Sequence, residues 1–179
     1  MEDGHAGNMK QLDHTLVAKA RKIKLLLTDC DGVLTDTGVY YSATGEELKK
    51  FSLRDGMGAE RLRNLVNVET GIITGENSDI VLQRAEKLRI NEYHPFSNNK
   101  LEVICEITER RKIAFDEIAY IGDDTNDIEV MKQVGLTACP SDAFRSVAEI
   151  ADIIVESKGG HGAFRDFAEI IISCQLNNE

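Results

Sequence analysis

The sequence has no CxxC pair, no apolar run long enough to cross a bilayer, no low-complexity linker, no internal repeat and no surplus of positive charge. Each absence removes a class of function. The four cysteines, Cys30, Cys105, Cys139 and Cys174, are widely spaced, which excludes a zinc ribbon or dithiol motif and fits a reduced protein. Short apolar runs and a polar start, MEDGHAGNMKQLDHT, without signal-peptide character lead us to expect a cytoplasmic protein with no membrane partner. A formal charge of -10 argues against a nucleic-acid partner, since phosphate backbones repel an acidic surface. What remains is 179 residues of ordinary globular composition, 42% apolar and 29% charged, enough for one sizeable core. We expect a flexible N-terminal segment over 1–19 and a single domain over 20–179.

Short apolar runs alternate with amphipathic stretches along that domain. IKLLLTD (23–29), VETGIITG (68–75), NEYHPF (91–96), EIAYIGDD (117–124), LTACP (136–140) and DIIVES (152–157) read as strands, the most apolar of them as strands buried on both faces. Helices are expected over 56–66, 78–90, 100–112, 126–135, 143–151 and 161–175. GVYYSATGEELKKFSL (38–53) has two strand-like arms around a Ser-Ala-Thr-Gly turn and reads as a hairpin. The alternation predicts a three-layer α/β/α fold around a parallel sheet, with the hairpin inserted after the first strand.

Polar residues collect where strands end. Asp29 and Asp31 follow the first strand, Thr74 and Gly75 the second, and Lys100 opens the helix after the third. Asp123, Asp124 and Asp127 follow the fourth. In open parallel sheets ligands bind outside these carboxyl ends. Hard oxygen donors in this number suit Mg²⁺, which binds through one or two carboxylates plus water and substrate phosphate. Lys100 and the Thr74 hydroxyl suit a phosphate on that metal. A carboxylate there can attack phosphorus, and a second one two residues on can move the proton. Taken singly, Asp-x-Asp-Gly is an ordinary turn and GDDTND an ordinary helix N-terminus. Their joint placement at successive strand ends is what points to a site.

DCDGVLTD, IITG, Lys100 and GDDTND, in that order, resemble the motifs of the haloacid dehalogenase superfamily of phosphohydrolases. The resemblance implies Asp29 as a nucleophile that forms an aspartyl phosphate and Asp31 as general acid/base. It also implies Asp29, Asp123 and the backbone carbonyl of Asp31 as Mg²⁺ ligands, with Asp124 and Asp127 in support. Thr74, Gly75 and Lys100 would hold phosphate. SLRDGMG, SNNKL, YIGDDTND and KGGHGAFRD are further similar to the small phosphatases of 3-deoxy-2-ulosonic acid phosphates, over roughly residues 20 to 172. That group includes the octulosonate 8-phosphate phosphatases of lipopolysaccharide precursor synthesis and their nine-carbon, sialic-acid-type relatives. It implies Arg54 and Gly56 as substrate-lining. It also implies a homotetramer built through the hairpin, with Arg165 in the segment that reaches a neighbour's site.

Spacing agrees that no cap domain is present. Only 44 residues separate Asp29 from Thr74, and 25 separate Thr74 from Lys100, room for the expected elements and nothing more. On the substrate the sequence departs from the eight-carbon pattern. Glu76 stands where those enzymes carry arginine, and Arg84 and Lys87 follow it by eight and eleven residues, as in the nine-carbon branch. The reading leans to a nonulosonate 9-phosphate, with the octulosonate 8-phosphate as alternative. The bland reading of Glu76, Arg84 and Lys87 is a solvated helix face, and that of Arg165 an exposed helix charge. A receiver-type phosphoacceptor domain is disfavoured because the third strand ends in FSNN with no acceptor aspartate. A non-catalytic oligomerisation domain is disfavoured because the motif acids and Lys100 are all present.

Overall fold

The structure is a computed structural model and describes residues 13–177. Strand β1 (Leu25–Thr28) is buried along its whole length at the centre of a six-stranded sheet. Hydrogen-bonded neighbours run β5 (Glu92–His94), β4 (Glu69–Ile73), β1, β6 (Ile118–Ile121), β7 (Leu136–Cys139), β8 (Ile153–Ile154), and every pair is parallel. The chain moves outward from β1 to β4 and β5, then returns to lay β6 on the other side of β1. That reversal opens a crevice between the carboxyl ends of β1 and β6.

Strand alternation sends the leucines of β1 to opposite faces. Leu26 joins Ile72, Ala119 and Ile121 under α2 (Leu53–Val66), α3 (Asp79–Leu88) and α7 (Ala163–Leu176). Leu25 and Leu27 join Ile118 and Tyr120 under α4 (Lys100–Arg111), α5 (Ile128–Met131) and α6 (Arg145–Ala148). Two apolar cores, one on each face, therefore clamp β1 in place. The three-layer architecture is the expected one. The hairpin is present as β2 (Thr35–Ser42) against β3 (Gly45–Phe51), an antiparallel pair separate from the main sheet and longer on its first arm than expected.

Three expectations need correction. His14–Lys22 forms a helix, α1, in a stretch read as flexible; residues 1–12 lie outside the described residues. Leu16, Val17, Ala20 and Ile23 recur at helical spacing, and they pack on the core beside α7, where Gln175 donates to the carbonyls of Ala20 (3.0 Å) and Ile23 (2.8 Å). The helix expected over 126–135 is a 3-10 turn, Thr125–Asp127, followed by the short α5. Its end is set by Gly135, whose N–H is taken by the carbonyls of Phe115 and Ile118. The last strand, expected over 152–157, is the two residues Ile153–Ile154, and just before it the Asp152 carboxylate takes the backbone N–H of Thr137 at 3.0 Å.

α7 packs on one face of the sheet beside α2, with Phe164, Phe167, Ile171 and Ile172 buried. Phe167→Ala should cost about 3 to 5 kcal/mol of unfolding free energy in urea titration. A cost below about 1 kcal/mol would show that α7 does not anchor the core.

Candidate active site

β1 runs straight into Asp29, whose backbone N–H donates to the Ile121 carbonyl (3.0 Å), so the two central strands fix its position. The side chain is buried; its Oδ1 accepts from the Cys30 N–H (2.7 Å) and lies 3.0 Å from the Lys100 ammonium. Among the described residues no hydrogen bond to Oδ2 is formed.

Lys100 is buried at the first turn of α4 and lies 2.7 Å from Asp127 Oδ1 as well. Burial alone would lower its pKa, but the charges of Asp29 and Asp127 outweigh that and raise it, so it stays an ammonium. Asp127 is fully buried and saturated. Oδ1 accepts from Lys100 and from the Tyr120 hydroxyl (2.6 Å), and Oδ2 from the backbone N–H groups of Asp123 (3.0 Å) and Asp124 (3.3 Å). Asp124 itself caps the 3-10 turn, accepting from the Thr125 N–H at 2.6 Å.

Asp123 is different. Its Oδ1 is buried without a hydrogen-bond partner, and its carboxylate lies hard against Gly32, where an added Cβ would meet Oδ2 at 1.9 Å. Gly32 is also at φ +98°, a conformation open to glycine. Asp29, Asp123 and Asp127 each bring a carboxylate oxygen within 4.8 Å of the others. Burial first, then the neighbouring acids, push Asp29 up to about 7 and Asp123 up to about 8. An unpartnered oxygen, three converging carboxylates and one ammonium make a site that fits a hard divalent cation. Asp29 and Asp123 have oxygens to give it, while Asp127 is committed to holding Lys100 and the loop.

The remaining expected residues fall into two groups. Thr74 is buried at the end of β4, its N–H bonded to the His94 carbonyl (3.0 Å) and its hydroxyl accepting from the Glu76 N–H (3.2 Å). Gly75 follows it with open space around its Cα. Asp31 lies beside the site on the loop into the hairpin, accepting from Thr35 Oγ1 (3.1 Å) and from Lys49 Nζ (2.9 and 2.8 Å). Of the expected substrate residues, Arg54, Gly56, Arg84 and Arg165 gather around the first turns of α2, where the Arg165 N–H donates to Asp55 Oδ1 at 2.9 Å. Arg54 is exposed on the first turn of α2, near Gly162. Arg84 lies under Gly56, donates to the Ser52 carbonyl (2.9 Å) and covers the Phe51 ring. Lys87 lines a separate 270 Å³ groove with Glu60, Arg63, Asn64, Leu88 and Arg89. Arg84 and Lys87 stand three apart on α3, and no hydrogen bond or ion pair joins either to Glu76 among the described residues. Arg165 pairs within the chain with Glu169 at 2.7 Å.

Two participants escaped the sequence reading. Tyr120 reads as a core aromatic, and only its place beside Asp127 reveals the hydroxyl. Lys49 is one of two adjacent lysines, and period-2 alternation says that one faces in without saying which. The pairing of Val39 with Lys49 settles it: Lys49 points inward to Asp31, and Lys50 outward to Asp36 (2.5 Å).

Residues 70–165 match the family model of haloacid dehalogenase-like hydrolases. The chain is 38% identical over 160 residues to the 3-deoxy-D-manno-octulosonate 8-phosphate phosphatase of Escherichia coli (strain K12), covering 89% of this chain and 85% of that one. It is similar to the crystal structure of the Yersinia pestis phosphatase of the same name, with TM-score 0.87 and 34% identity over 91% of this chain and 88% of that one. A Moraxella catarrhalis structure of that phosphatase, in complex with magnesium, phosphate and KDO, matches with TM-score 0.87 and 32% identity, over 90% of this chain and 92% of that one.

The raised pKa values give a pH test. A carboxyl whose pKa is higher folded than unfolded binds more protons folded, so its stabilising effect is complete below about 4 and is lost as pH rises through about 7 for Asp29 and about 8 for Asp123. A bound cation reverses that loss. Mg²⁺ should therefore raise Tm more at pH 8 than at pH 5.5, and Asp123→Asn should raise the metal-free Tm at pH 8 while removing the Mg²⁺ response. Equal Mg²⁺ shifts at both pH values would contradict the assignment.

Proposed function

This chain belongs to the haloacid dehalogenase-like hydrolases, and we propose that it is a Mg²⁺-dependent phosphomonoesterase acting on 3-deoxy-D-manno-octulosonate 8-phosphate or a close sugar-acid phosphate. The observation that carries this reading is the convergence of Asp29, Asp123 and Lys100 at the carboxyl ends of β1, β6 and the start of α4, with one Asp123 oxygen unpartnered. Asp29, Asp123 and the Asp31 backbone would hold the cation, which when bound neutralises charge on the phosphate.

The chain's own groups supply the rest. Asp29 Oδ2 attacks phosphorus while Lys100 and the Cys30 N–H hold Oδ1 still. Lys100, the Thr74 hydroxyl and the backbone at Gly75 receive the phosphoryl oxygens. As the ester P–O bond breaks, Asp31 gives its proton to the departing sugar oxygen. Asp31 then takes a proton from water, whose oxygen attacks the aspartyl phosphate and releases inorganic phosphate, returning Asp29 as a carboxylate. Arg54, beside Gly162, is the cation left to meet the sugar-acid end.

The eight-carbon ester is the better reading of substrate. The relatives named above carry its name, and Arg84, one of the residues that favoured nine carbons, is engaged here with the Ser52 carbonyl and the Phe51 ring. We also propose that the protein assembles as a homotetramer through the hairpin. Tyr40, Tyr41 and Leu48 stand 63%, 71% and 63% exposed on this two-stranded sheet, and a lone hairpin is marginal in water. A neighbour there would also exclude water from a site with no cap of its own.

Phosphate release with Mg²⁺ tests the function. Asp29→Asn should keep the fold and lose about a thousandfold or more in kcat, and octulosonate 8-phosphate should be preferred over a nonulosonate 9-phosphate. Substantial turnover by Asp29→Asn would remove it as nucleophile, and the opposite preference would restore the nine-carbon reading. Sedimentation should give four copies, with Leu48→Asp splitting them; a fully active monomer would contradict the assembly.

A further inference from the structure

We infer that Lys49, with Thr35, is a positioning residue that orients the Asp31 carboxylate for its two proton transfers. The inference rests on the phosphatase reading above and deepens it, because nothing in the motif pattern assigns a role to the hairpin's own charge.

The geometry is specific. Lys49 Nζ reaches both oxygens of Asp31, at 2.9 and 2.8 Å, and Thr35 Oγ1 donates to Oδ1 at 3.1 Å from the other strand at the same open end of the hairpin. Two donors on one carboxylate, one of them bidentate, fix its plane as well as its position. The Lys49 side chain is 1% exposed, so this is not a solvated surface pair whose geometry wanders. A buried ammonium that served stability alone would be better replaced by an apolar side chain. Here it is kept, and its other neighbour shows how it is aimed. Glu46 Oε2 lies 3.6 Å from Nζ, while Glu46 Oε1 accepts from the Ser78 hydroxyl at the N-cap of α3. Ser78 is itself buried, and its carbonyl accepts from the Tyr93 hydroxyl at 3.3 Å. A line of contacts thus runs from the α3 N-terminus through Glu46 and Lys49 to Asp31. It holds the hairpin at one angle to the site and the acid/base at one angle to the substrate oxygen. The register of β3 makes this possible, since Lys49 and Lys50 must face opposite ways and only Lys49 is turned toward Asp31.

Lys49 does not touch phosphate in this arrangement; it acts through Asp31. Removing it therefore leaves binding alone and slows the steps that need an aligned proton donor and acceptor. A misaligned general acid/base forfeits a share of the hundredfold or more that such a group contributes.

The test is steady-state hydrolysis of p-nitrophenyl phosphate and of octulosonate 8-phosphate by Lys49→Met, Lys49→Arg and Thr35→Val, with Asp29→Asn as the blank. Lys49→Met should hold KM within about twofold and lose about tenfold to a hundredfold in kcat. Lys49→Arg should recover most of that loss, and Thr35→Val should show a smaller loss in kcat alone. In an Asp31→Asn background, Lys49→Met should cost no more than about twofold further, because its partner is already gone. Wild-type kcat in Lys49→Met, or an equal loss in both backgrounds, would overturn the proposal. If Lys49→Met does not fold, Thr35→Val decides, and unchanged kcat there overturns it. These are ratios to the wild type, so they judge Lys49 separately from the phosphatase reading. A wild type inactive on both esters sinks that reading and this inference with it.

Discussion

Everything at the site depends on one ammonium holding carboxylates together that would otherwise repel. Lys100 bridges Asp29 and Asp127 at 3.0 and 2.7 Å in a place closed to water. Burial first, then the neighbouring acids, raises the pKa of Asp29 and of Asp123, so the cluster is stable only while charge is compensated. Lys100 supplies one positive charge against three converging acids. Asp127 is satisfied by four donors, and the deficit falls on Asp29 and Asp123, the two with an oxygen to offer.

The fold serves that arrangement by rigidity. β1 is held by hydrogen bonds on both edges and by an apolar core on both faces, so Asp29 emerges from the least mobile part of the chain. Asp123 emerges from its immediate neighbour β6, and Gly32 lets the two loops approach more closely than any Cβ would allow. Asp31, by contrast, sits where the rigid sheet passes into the hairpin. It is the group we propose to move protons, and its donors come from the hairpin strands, Thr35 on β2 and Lys49 on β3. Precision at Asp29 comes from the sheet, and precision at Asp31 from the hairpin.

Legibility followed the same division. Runs such as LLLT and IAYI announced buried parallel strands, and the acids at their ends announced the site, because parallel-sheet topology converts strand ends in sequence into neighbours in space. What could not be read was whatever depends on register or on competition for a donor. Lys49 against Lys50 is a question of which way β3 is turned. Arg84 looked like a substrate cation because its helical spacing to Lys87 is visible, whereas its bond to the Ser52 carbonyl is not. The last strand is shorter than its apolar run, and the bond from the Thr137 N–H to the Asp152 side chain at its start cannot be seen in the sequence. α1 was missed because a polar beginning masked four apolar residues at helical spacing.

The most direct test of the central claim is to trap the covalent intermediate. Rapid acid quench of the Mg²⁺-loaded protein during turnover, followed by peptide mass spectrometry, should place one phosphoryl group on Asp29 and none on any other residue. A quenched protein carrying no phosphoryl group under single-turnover conditions, or carrying it on a residue other than Asp29, would contradict the account.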